Sequence, residues 1–180
     1  AHAAQQPSLL YADTGITAAA GARDQITGLG TKATATLKLL QAAKVQGTPI
    51  DGVLFKLRCT GVVATQQSSD ECTNLSALSA AIAAFGGAGF PVWISLQTAP
   101  AAETLAAHVD LRSQALADIY HTVGVACVGA HYCKALHFEG FTDAFCGGPG
   151  VAGAAKAGGC MLDDHYKAKA AYTSLQSSLK

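Results

Sequence analysis

Four short apolar runs, each closed by glycine, proline or a polar loop and followed by a stretch with helical spacing, constrain this chain more than any other feature. The runs are SLLYAD (8–13), GVLFKL (52–57), VWISL (92–96) and ALHFEGF (135–141). The stretches after them are KATATLKLLQAAKVQ (32–46), NLSALSAAIAAF (74–85), LRSQALADIYHTVGV (111–125) and DHYKAKAAYTSLQSSLK (164–180), the last an amphipathic helix. The first helix is stopped by GTPIDG and the second by GGAGFP. Strands that are apolar nearly throughout, instead of alternating, belong to a parallel sheet with covered faces, and the intervening helices are the crossovers such a sheet needs. The expected fold is therefore α/β, a single domain over residues 1–180 built of four βα units, half of a (β/α)8 barrel. Residues 1–8 read as a flexible N-terminal tail, and GGPGVAGAAKAGG (147–159) as a loop fixed at its ends by Cys146 and Cys160.

The cysteines set the compartment. There are six, spaced locally as Cys59 with Cys72, Cys127 with Cys133 and Cys146 with Cys160, and none forms a zinc-type CxxC pair. Three short-range disulfides in a secreted protein is the expectation, although fifteen pairings of six cysteines are formally possible. No basic and apolar leader is present, so the chain reads as already processed, with Ala1 near the mature N-terminus. The only asparagine, Asn74, forms an N-glycosylation sequon with Ser76. Lysine plus arginine equals aspartate plus glutamate at 12 each, with no basic block, so nucleic acid is not an expected partner. The uncharged stretch from Asn74 to Ala102 is broken by GGAGFP and divides into helix and strand, so no membrane span is expected.

GTPIDGVLF (47–55), CKALHFEGFTD (133–143) and MLDDHYKAKAAY (161–172), in this order and spacing, resemble glycoside hydrolase family 10, the xylanases. The spacing of Cys127, Cys133 and Asp143 is similar to that of the family's fungal members. The resemblance runs from about Leu9 to Lys180 and covers only the second half of the family's (β/α)8 barrel. It implies that LLYAD lies at the family's fifth strand, so the fourth strand, which carries the general acid/base glutamate, has no counterpart here. Retaining glycosidases need two carboxyl groups about 5 Å apart, one to protonate the leaving oxygen and one to attack the sugar. In the register of the family's seventh strand, Leu96 occupies the nucleophile position, and Gln97 beyond it points to the other face and does not ionise.

Further positions depart from the pattern. The family's Phe-Gln-Gly-His becomes Phe55, Lys56, Leu57, Arg58, its Asn-Asp-Tyr-Asn becomes Ala12, Asp13, Thr14, Gly15, and Glu139 replaces a sugar-stacking tryptophan. Pro49, Ile50, Asp51, Gly52, Gly140, Phe141, Asp143, Tyr166, Lys169 and Tyr172 persist as scaffold. No catalytic pair is expected; Glu139, with Asp143 and His137 nearby, is the remaining carboxylate candidate, and it is expected to be held by Lys56 or Arg58 from a neighbouring strand. Tyr11, Asp13, Lys56, Arg58, Gln97 and Glu139 are the candidates for contact with carbohydrate, and the two cations suit an acidic sugar better than neutral xylan.

Other constellations read as structural. His2 is one residue late for a copper site built on an N-terminal histidine. His131, Cys133 and His137 could ligate a metal only if Cys133 were not in a disulfide, so neither a metal nor another cofactor is expected. Phe138, Phe141, Phe145, Tyr11 and Trp93 could form a stacking platform, but Phe141 and Trp93 read as core. Asp163, Asp164 and His165 read as an N-cap and first-turn charges of the last helix. A half barrel leaves two strand edges and one apolar face, most simply covered by a second copy. The sequence thus points to a secreted, non-hydrolytic protein acting as a homo-oligomer, then to a carbohydrate binder, and last to a hydrolase using Glu139.

Overall fold

The computed structural model describes residues 8–17, 29–60, 72–99, 109–144 and 159–180. Within them the order is β1 (Leu10–Thr14), α1 (Thr31–Val45), β2 (Gly52–Thr60), α2 (Leu75–Gly87), β3 (Val92–Ala99), α3 (Val109–Val128), β4 (Cys133–Phe138) and α4 (Ala170–Ser178). The strands form one parallel sheet in the order β1-β2-β3-β4, as the apolar runs require. Expected elements on residues 1–7 and 145–158, including His2, Phe145, Cys146 and most of the glycine-rich loop, lie outside the described residues.

The first two crossovers end in the same way. After α1, Gly47 takes φ 82°, and the Thr48 amide donates to the Ala43 carbonyl at 3.0 Å. After α2, Gly89 takes φ 82° and the Phe90 amide donates to Phe85 at 3.0 Å. Only glycine enters this left-handed conformation without steric cost, so each glycine both stops its helix and turns the chain toward the next strand. At the start of α2, Asn74 is the cap: its Oδ1 accepts from the Ala77 amide at 3.0 Å and from the Ser76 hydroxyl at 2.9 Å. Neither bond uses Nδ2, the atom a glycan would join.

Strand register sorts the side chains into two faces. Phe55 meets Phe85 of α2 edge-on at 5.3 Å, and Phe138 stacks on Tyr120 of α3 at 5.6 Å. The helix-facing side therefore carries Val53, Phe55 and Leu57 of β2 beside Val92, Ile94 and Leu96 of β3, all buried. This layer is the core; removing a buried aromatic such as Phe55 costs about 3–5 kcal/mol in proteins generally. The opposite face carries Leu54, Trp93 and Ala135 in one row and remains partly exposed. A methyl group at Gly52 would overlap the Trp93 ring and the Pro91 carbonyl, so this glycine lets the indole lie flat across β2. Gly124 of α3 likewise admits Ser178 and Leu175 of α4.

Two disulfides clamp the ends of elements. Cys59–Cys72 joins β2 to the entry of α2, and Cys127–Cys133 joins the last turn of α3 to β4, at separations of 13 and 6 residues. On the loop-entropy account each removes about 2–3 kcal/mol of freedom from the unfolded chain. Cys160 is also disulfide-bonded, while Cys146, its expected partner, lies outside the described residues.

The C-terminal segment corrects the sequence reading. Helix α4 begins only at Ala170, with Lys169 at its N-cap, instead of at residue 164. Before it the chain bridges Leu162 to Thr142 and to Ala168, and Asp163 Oδ1 accepts from the His165 and Lys167 amides at 2.8 Å each. Asp163, Asp164 and His165 thus build a turn, not a helix cap, because these local side-chain bonds compete with helical ones.

We expect Gly52→Ala to lower stability by about 2 kcal/mol through overpacking. Gly87→Ala, where a methyl group meets nothing within 4 Å, should be neutral or stabilising. Urea midpoints of the two variants check this; equal tolerance would mean that Trp93 does not lie over Gly52.

Candidate functional site

Ligands of parallel α/β sheets bind at the C-terminal ends of the strands. On the face away from the helices, two polar rows lie there above the Leu54, Trp93 and Ala135 row. The first is Thr14, Lys56, Ser95 and His137, consecutive partners across all four strands. Beyond it Arg58 pairs in register with Gln97, and the Glu139 amide donates to the Leu96 carbonyl at 2.9 Å, which sets Glu139 beside Gln97.

Glu139 Oε1 accepts from the Ser95 hydroxyl at 2.8 Å. Contrary to the sequence expectation, it forms no ion pair with Lys56 or Arg58 among the described residues. The separation of the strands explains the difference: Lys56 and Arg58 stand on β2, two strands away from β4, while Ser95 stands on the intervening β3. The Ser95 contact left no signal in the sequence beyond a small polar residue in an apolar strand.

Two other described carboxylates, Asp143 and Asp51, are committed elsewhere. Asp143, its side chain 12% exposed, accepts from Lys169 Nζ at 2.9 Å on Oδ2 and from the Cys160 amide at 2.9 Å on Oδ1. It ties the end of β4 to the segment entering α4, which gives the persistent Asp143 and Lys169 a structural reason. Asp51 does the same at the other side, its Oδ2 accepting from the Leu9 amide at 2.7 Å.

Tyr11 and Asp13, proposed carbohydrate contacts, are placed by the register. They pair with Val53 and Phe55 and so sit on the helix-facing side. Asp13 accepts from Lys32 Nζ at 3.0 Å and from the Thr14 amide at 2.7 Å, and Lys32 also donates to the Thr14 carbonyl. Burial works to raise the Asp13 pKa, but the Lys32 and Thr14 hydrogen bonds and the Lys32 charge outweigh it and hold it below the usual carboxylate value. Burial, then the Asp13 charge, pushes the Tyr11 hydroxyl upward.

Leu96, the residue in the nucleophile's register, is 1% exposed among the helices, whereas its neighbours Ser95 and Gln97 belong to the open face. A one-residue offset along a strand reverses every side chain, so sequence register alone cannot say what reaches the mouth. The stacking platform also separates: Phe138 and Tyr11 pack toward the core, Trp93 is half-buried on the open face, and Phe141, expected in the core, is 53% exposed. Phe141 turns outward because its carbonyl accepts from Leu162 while its neighbour Thr142 takes the buried position. Cys133 is oxidised, so His131, Cys133 and His137 offer no thiolate set; the one grouping of potential ligands among the described residues is the exposed turn Asp163, Asp164, His165.

No protein-family model matches the chain, and no curated protein is significantly similar to it. Solved structures are. Xylanase 10B from Thermotoga petrophila, in complex with xylobiose, superposes with a TM-score of 0.71 at 19% identity over 95% of this chain and 46% of its own. Penicillium canescens endo-1,4-beta-xylanase XylE gives 0.65 at 24% identity over 96% and 46%. A glycosylated glycoside hydrolase family 10 xylanase from Gloeophyllum trabeum gives 0.63 at 21% over 96% and 47%. The chain has the fold of a partial (β/α)8 barrel of the family 10 kind, and it spans about half the length of the structures it resembles.

If Asp143 is a clamp and Glu139 an exposed surface group, their variants should separate. Lys169→Met, which strands the Asp143 carboxylate, should cost about 3 kcal/mol, and adding Asp143→Asn should recover part of it. Glu139→Gln should stay within about 0.5 kcal/mol of the parent. Chemical denaturation measures both; a neutral Lys169→Met would remove the clamp.

Proposed function

We propose that this chain is an extracellular, non-hydrolytic protein of the family 10 fold that works as a homo-oligomer, two copies completing one barrel. The observation that carries the reading is where its exposed apolar side chains fall. Of the ten exposed large apolar side chains among the described residues, Leu9, Leu39 and Val45 belong to the first βα unit and Phe141, Tyr166, Tyr172 and Leu179 to the last, with Leu75, Val128 and Tyr132 between them. These are the two flanks that a two-fold along the barrel axis brings together, α4 of one copy against α1 of the other and β4 against β1. Edge strands left open are otherwise a liability for uncontrolled pairing.

The want of a second free carboxylate facing Glu139 among the described residues supports the non-hydrolytic part, since both steps of retaining hydrolysis need a pair. The described disulfides support an oxidising, extracellular setting. Carbohydrate binding is the second reading, favoured by the polar rows above Trp93.

Light scattering under non-reducing conditions should give twice the monomer mass over a range of concentration. Leu39→Glu with Val45→Glu should give a folded monomer, since both side chains are already exposed. No reducing sugar should be released from xylan. A parent protein that is monomeric throughout would end the assembly reading, and turnover abolished by Glu139→Gln would replace it with a hydrolase.

A further inference from the structure

The side chain at the start of α2 does more than its capping role requires. Asn74 Oδ1 accepts from the Ala77 amide at 3.0 Å and from the Ser76 hydroxyl at 2.9 Å, so one oxygen does all of the capping. Aspartate, serine or threonine would cap as well, and asparagine differs from them by its amide nitrogen. This is the one asparagine in 180 residues. The Ala77 N–H is a donor, so the atom facing it must be the oxygen, which turns Nδ2 away from the first turn of the helix. Nδ2 makes no hydrogen bond among the described residues, and Thr73, Leu75 and Ser76 around it are exposed.

We infer that Asn74 is an N-glycosylation site in which one side chain serves two purposes, Oδ1 capping α2 and Nδ2 carrying the glycan. The signal is Asn74, Leu75, Ser76, and the donor is a lipid-pyrophosphate-linked oligosaccharide whose first sugar is N-acetylglucosamine. The amide nitrogen attacks the anomeric carbon of that sugar. The Nδ2–C1 bond forms, the bond from C1 to the pyrophosphate oxygen breaks, the lipid pyrophosphate departs and one Nδ2 proton passes to a base. The second Nδ2 proton and both lone pairs of Oδ1 survive, so the glycosylated side chain still caps the helix. The Cys59–Cys72 bridge, two residues earlier, fixes the site beside the end of β2. Leu75, 41% exposed and next in the chain, is the apolar side chain that the first sugar covers. The flanks of the proposed assembly are on α1 and α4, so a glycan on α2 stands on neither of them.

The test is intact-mass spectrometry of the full chain exported through a yeast secretory pathway, before and after treatment with peptide N-glycosidase. A ladder of added hexose and N-acetylhexosamine mass is expected, removed by the enzyme with an aspartate left in place of Asn74. Ser76→Ala should abolish the added mass yet melt with the deglycosylated parent, because the bond to Ala77 remains, and Ser76→Thr should keep the glycan. Asn74→Ala should lose the glycan and melt about 2–4 °C below the deglycosylated parent. An exported chain of bare polypeptide mass, added mass that persists in Ser76→Ala, or an Asn74→Ala variant that melts with the parent overturns the inference. It rests on the extracellular setting proposed above, and a free-thiol assay tells the two failures apart. A bare polypeptide without free thiols sinks this site and leaves the setting, whereas one that keeps its thiols free loses both.

Discussion

The right-handed βα crossover governs this molecule. Because parallel strands can be joined only by a long connection, and the connection returns with one hand, four successive units place their helices on the same side of the sheet. The core therefore forms on one face only, between Phe55, Ile94 and Leu96 and the inner surfaces of the helices. Among the described residues the other face stays partly exposed. In the xylanases that share the fold, the chain is about twice as long.

The residues that match the family 10 pattern join distant parts of the sheet. Gly52 clears space for Trp93, Asp51 holds the start of β1, and the Asp143 and Lys169 pair fastens the C-terminal segment to the end of β4. These contacts join distant segments around the sheet, so their loss would be felt as instability. At the strand ends the described residues of the open face include Lys56, Arg58, Gln97 and the serine-bound Glu139.

Much of the architecture could be read directly. Gly47 and Gly89 announced the ends of α1 and α2, and the apolar runs announced parallel strands whose order follows the chain. Residues 164–169 failed as helix because Asp163 gathers the amides of His165 and Lys167, a local competition that helical periodicity cannot register. Phe141 failed as core because a single irregular step after β4 buries Thr142 in its place. Of the candidates, Lys56, Arg58, Gln97 and Glu139 lie on the open face and Tyr11, Asp13 and Leu96 on the helix-facing side, a division that the order of residues does not carry.

Periodicity and helix stops were determined by the sequence alone, because each is settled by residues close together along the chain, and the local spacing of Cys59 with Cys72 and of Cys127 with Cys133 pointed to the pairings that the fold then shows. Which residues share a face, and which one answers Glu139, was decided only in the folded sheet. Side chains alternate at every step of a strand, so facing depends on the register between strands that lie far apart in sequence. Ser95 and Glu139 are 44 residues apart, and nothing but the pairing of β3 with β4 brings them within 2.8 Å.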